Sequence, residues 1–196
     1  MDPFAGLRRP LKAARQSLQS LIEEEQRRAE LHMQLIRSLE PQASKDRVAH
    51  VMIQRWVTVA AVEGGLTGAA GVFGIPLNWI LFTYCQVAVT VSVATAYGAK
   101  LEGRAGRDAV LQTIGCAHGL GEMVRASPRI LGALARRLAL RRGLGMLGRW
   151  VPVVAAPIGA RLNQRDLQKT GDEALRRFGA VLLLPPADLA PSVARD

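Results

Sequence analysis

The sequence predicts an all-α fold, a helical bundle built around a hydrophobic, glycine-rich helical hairpin. Three observations lead there. Apolar residues make up 49% of the chain but aromatic residues only 5%, so Ala, Leu, Val and Gly carry the hydrophobicity. Such a balance suits close-packed helices better than a β-sandwich. From Leu11 to Leu39, apolar residues recur at steps of 7, 4, 7, 4 and 3 along Leu11, Leu18, Ile22, Ala29, Met33 and Ile36, one stripe of a helix. From Val57 to Gly98 there is no Lys or Arg, and one acidic residue, Glu63.

Residues 1–10 read as a disordered lead-in closed by Pro10, residues 11–180 as one helical domain and residues 181–196 as a flexible tail. In the first helix, Glu23, Glu24, Glu25, Arg27, Arg28 and Glu30 are expected on the face opposite the apolar stripe. Pro41 ends that helix, because its ring disfavours helical geometry at Glu40. Ser44 is a candidate cap for the next helix, with Asp46 near its positive end.

The hydrophobic hairpin is expected over about 48–98. Its first helix spans about Lys45 to Val72. Ala60, Gly64 and Gly68 stand four apart, and small residues at that spacing let a second backbone come close. The other reading of Gly64-Gly65 is a helix break. Gly74 to Asn78 reads as a turn with Pro76 near the start of the following helix. That helix runs from about Asn78 to Tyr97 and stops at Gly98. Its middle, VAVTVSVATA, also alternates like a strand; its length and the absence of a hairpin signal favour helix, facing the small-residue helix before it. Trp79 to Ala96 is an uncharged run of 18 residues, near the lower limit for crossing a bilayer. Further helices are expected over 107–124, 128–148 and 162–178. The apolar segment 150–159, with Pro152 and Pro157, is too short to span a membrane.

The net charge is +10, with 22 Arg against 4 Lys. Residues 99–149 hold ten basic residues against three acidic ones, directly after the apolar stretch, as the positive-inside rule places them in a cytoplasm-facing membrane protein. The helix carrying Arg129, Arg136, Arg137, Arg141 and Arg142 suits a surface of anionic lipid headgroups or an ordinary solvated face whose Arg stems cover apolar neighbours. Nucleic acid is the weaker partner, because aromatic residues for base stacking are not interleaved with the charges. Two cysteines, Cys85 and Cys116, provide no disulfide framework. Without an apolar N-terminal core of the signal-peptide kind, the protein is expected in the cytoplasm, at the inner face of the membrane.

No catalytic constellation stands out, and no cofactor or metal is expected. GGLTGAAG lacks the Gly-Lys-Ser/Thr of a phosphate loop. Cys116, His118 and Glu122 do not complete a zinc set. Glu63 is the most informative residue. A buried carboxylate must be paired, protonated or reached by water. Glu63, Asn78, His118 and Asn163 are the candidate ligand-binding residues; Ala60, Gly64, Gly68, Gly74, Pro76, Tyr97 and Gly98 are candidate helix-packing residues.

Three blocks together resemble the EcsC protein family: EGGLTGAAGVFGIPLNW (Glu63–Trp79), VATAYG (Val93–Gly98) and VPVVAAPIGARLN (Val151–Asn163), the last followed by Ala174 and Phe178. The chain departs from the family pattern at Lys100, where an acid is frequent. The resemblance implies a mostly helical, membrane-linked bacterial protein, linked to an ABC transporter or the cell envelope, with a transporter component as a possible protein partner. It supplies no catalytic residue. The resulting expectation is a non-enzymatic, membrane-associated accessory protein; the alternatives are a soluble helical module binding a lipid or other hydrophobic ligand, and an enzyme with an unrecognised site.

Overall fold

The computed structural model describes residues 5–70, 74–119 and 152–180. They form five helices and, among the described residues, no strand: α1 (Ala5–Leu39), α2 (Lys45–Ala69), α3 (Gly74–Tyr97), α4 (Gly103–Ala117) and α5 (Pro152–Ala180). The bundle is all-α. The basic helix with Arg129, Arg136, Arg137, Arg141 and Arg142 lies outside the described residues, as do Glu122 and the tail from residue 181.

α3 is the central element and touches each of the other four helices. Its side chains from Cys85 to Ala96 are all buried, as expected of a helix that is apolar all round. Val and Thr do not turn the segment into a strand. Thr90 donates its hydroxyl to the Gln86 carbonyl at 2.8 Å, and Thr95 to the Val91 carbonyl at 2.9 Å. The polar atoms are thus satisfied within the helix, and Val89, Val91 and Val93 each contribute about 1.5–3 kcal/mol by leaving water.

The local signals hold. The Ser44 hydroxyl accepts the Arg47 N–H at 3.2 Å and caps α2. Gly98 stops α3 at φ +83°, with the Ala99 N–H donating to the Ala94 carbonyl at 2.9 Å, a Schellman ending. α1 starts at Ala5, ahead of the Leu11 read from the stripe.

Gly64-Gly65 does not break α2, which runs on to Ala69 as the close-packing reading expects. Three expectations are corrected. The small-residue face of α2 does not seat α3 most closely: α2 packs most extensively on α5. Gly74 and Pro76 belong to the first turn of α3 rather than to a turn before it, because a first-turn proline loses no helical hydrogen bond. α5 begins at Pro152, so the apolar segment before residue 162 is helix, with Pro157 inside it.

Candidate functional site

Where α2, α3 and α5 meet, four polar side chains share one buried cluster. Glu63 and Thr67 come from α2, Asn78 from α3 and Asn163 from α5. Their exposures are 9, 6, 3 and 3%. The Asn163 amide donates to Glu63 Oε2 at 2.8 Å and to Asn78 Oδ1 at 2.9 Å. The Thr67 hydroxyl lies 2.8 Å from the Glu63 carbonyl and 2.9 Å from Asn78 Oδ1, and its single proton serves either acceptor. The Asn163 N–H₂ thus bridges an oxygen of Glu63 and the oxygen of Asn78, which fixes the direction in which both amides face.

Glycines make the cluster reachable. A Cβ on Gly64 would meet the Gly159 carbonyl oxygen at 2.6 Å and the Asn163 amide nitrogen at 2.7 Å. A Cβ on Gly159 would meet the Gly64 carbonyl oxygen at 2.5 Å. The backbones of α2 and α5 therefore touch, and the space beside Gly64 is filled by the Asn163 side chain. Ala60 and Gly68 lie on the same buried face of α2. At the other end of α3, the Tyr97 hydroxyl donates to Asp46, and its ring stands where a Cβ on Gly179 would lie 3.4 Å away.

The structure joins three of the four candidate ligand-binding residues and leaves one apart. His118 pairs with Gln86. Gln86 is eight residues beyond Asn78, roughly 12 Å along α3. Cys116 is half-buried and Cys85 buried. Burial first, then the charges of Glu63 and Glu25, push the Cys85 thiol up to about 12, which keeps it protonated and a poor nucleophile at neutral pH. Among the described residues no group of three His, Cys, Asp or Glu side chains could hold a metal ion. The stretch from Gly64 to Ala69 is helix, so it offers no phosphate loop.

A second buried acid was not singled out by sequence. Glu25 is 2% exposed and does not share the solvated face expected of its neighbours. Its Oε1 accepts the Arg28 guanidinium and the Tyr84 hydroxyl, each at 2.7 Å. A signal existed: Glu25 stands three after Ile22 and four before Ala29, in the gap of the apolar stripe. Burial, then the hydrogen bond and charge of Glu25, push Tyr84 up to about 12. Trp56 meets the Tyr84 ring edge-on at 5.7 Å and donates its indole N–H to Ser92 at 3.1 Å.

No protein-family model matches the chain, and neither a curated protein nor a solved structure matches it.

Proposed function

We propose that the chain is a helical module that binds a lipid or another hydrophobic molecule at the end of the bundle where α2, α3 and α5 meet. One observation carries the reading. Val62, Leu66, Ile80 and Ile158 are 47 to 69% exposed, and each is close in sequence to a member of the Glu63–Asn78–Asn163 cluster or to Gly159. Each of the three helices that meet at the polar junction thus carries exposed apolar side chains close to it in sequence. Surfaces of this kind mark binding sites.

A second reading is the membrane-associated accessory protein of the EcsC type, with the glycine-rich hairpin as its centre. Two observations favour it. Two of the three blocks that resemble the family, Glu63–Trp79 and Val151–Asn163, meet in space through Gly64–Gly159 and Glu63–Asn163. Asn78–Tyr97 is also long and apolar enough to cross a membrane, with mean hydropathy 1.5, although 72% of it is buried in the bundle. That burial is what a core helix needs and ranks the binding module first.

Fractionation of the expressed protein separates the two. The binding module is expected in the soluble fraction, with a lipid or similar molecule released by solvent extraction and seen by mass spectrometry. Release by detergent alone, resisting salt and carbonate, would replace it with the membrane reading. A soluble protein carrying no extractable hydrophobic molecule, and taking none up from vesicles, would remove the first reading.

A further inference from the structure

A cavity of about 140 Å³ lies between α1, α2 and α3. We propose that it binds a small organic anion whose apolar body is about the size of one ring. The site is distinct from the apolar end discussed above and does not depend on that reading.

Size comes first. A cavity of about 150 Å³ accepts one benzene molecule, so 140 Å³ admits a single ring and excludes an acyl chain. Its inner wall is apolar and aromatic. Ala29 and Met52 are 3% exposed, and the edge-on pair of Trp56 and Tyr84 is fixed at both polar ends, by Ser92 and Glu25. Such rings present area with little freedom left to lose on binding.

Charge selects the class. Glu25 lines the cavity, yet its carboxylate already accepts Arg28 and Tyr84. Arg28 in turn is committed to Glu25, Glu24 and Tyr84. Arg55 also lines the cavity, is exposed, and has no acidic partner among the described residues. The lining therefore holds one carboxylate against two guanidiniums, and the uncommitted group is a cation. A carboxylate seated on Arg55 makes the charge-assisted, two-pronged contact that guanidinium geometry favours, while its ring fills the space against Met52 and Trp56. An ammonium ligand would face Arg28 and Arg55 and find Glu25 occupied.

The test is a titration of the full chain with benzoate, following the indole N–H resonances of its three tryptophans by NMR, with Trp56→Phe used only to assign the reporter. The expected result is a saturable shift of the Trp56 resonance. Benzylamine should produce none, and benzyl alcohol should bind about tenfold more weakly than benzoate, as should benzoate to Arg55→Gln. Arg55 is exposed, so that variant should fold; circular dichroism checks it. A second variant, Ala29→Leu, fills the cavity and should abolish the shift. No saturable shift at millimolar benzoate, equal binding of benzylamine, or unchanged affinity in Arg55→Gln would each overturn the proposal.

Discussion

The two buried glutamates solve the same problem in opposite ways. Glu25 takes its cation from Arg28, three residues along its own helix, and a phenol from Tyr84. Glu63 takes one donor, among the described residues, from Asn163, a hundred residues away in sequence. An unpaired carboxylate in either place would cost several kcal/mol. The local solution forms as soon as α1 and α3 pack. The distant one forms only when α5 has docked against α2, and that docking requires two bare glycines. The difference teaches that the Glu63 site reports on the assembly of the whole bundle, whereas the Glu25 site reports on one face of it.

The contrast is most easily broken at the glycines. Gly64→Val should destabilise the protein by at least about 3 kcal/mol in urea unfolding, because its side chain collides with α5 backbone and with the Asn163 amide. Gly65→Ala, one residue on, meets only the Ala160 Cβ at 3.9 Å and should stabilise by up to about 1 kcal/mol. If both changes have the same sign, the seam is misplaced.

Asn163→Asp sharpens the comparison. It sets a second carboxylate beside Glu63, so the pair holds a proton in the folded state more tightly than two separate acids do in the unfolded chain. Stability should then be near wild type in acid and fall as pH rises through the neutral range, with a loss of about 2–3 kcal/mol at pH 8. Melting temperature against pH measures it. A loss that is the same at all pH values would show that the two carboxylates do not meet.

Glu25→Gln should cost less, about 1–2 kcal/mol, since the half-exposed Arg28 regains water and Gln still accepts from Tyr84. Its effect should add to that of Asn163→Asp if the two faces of α3 are independent. The smallest effect is spectroscopic. Tyr84 and Tyr97 are the only tyrosines, and both are pushed up to about 12, chiefly by burial. The folded state thus favours the protonated phenols. Their contribution to stability is complete below about pH 10 and is lost as pH rises through 12. Absorbance titration at 295 nm should place both near 12 in the native protein and near 10 in urea.

How much of this was legible in the sequence depended on how far each interaction reaches. Ser44 and Gly98 act on their own backbone neighbours, so α2 and α3 were bounded well at those ends. Glu63 stood out because nothing else in its stretch is charged, and Asn78 and Asn163 were chosen with it. Glu25 was hidden among Glu23 and Glu24, where composition says solvated face and only the stripe register says core. Small residues at a four-residue spacing announced that a backbone would come close, but not that it would be α5 rather than α3. The start of α5 is not legible, because a segment with two prolines carries no helical periodicity of its own, although Pro152 fits a first turn. Periodicity carries no information about the distance between helices, so the sequence does not show that His118 meets Gln86 rather than Glu63.

The most direct measurement is a double-mutant cycle on Glu63 and Asn163, using Glu63→Gln, Asn163→Leu and the double variant in urea unfolding at pH 7. A charge-assisted hydrogen bond joining α2 to α5 predicts a coupling energy of about 1–2 kcal/mol, with the double variant less destabilised than the two single losses added. Strict additivity of the two changes would contradict it, and the junction beneath the apolar face would lose its keystone.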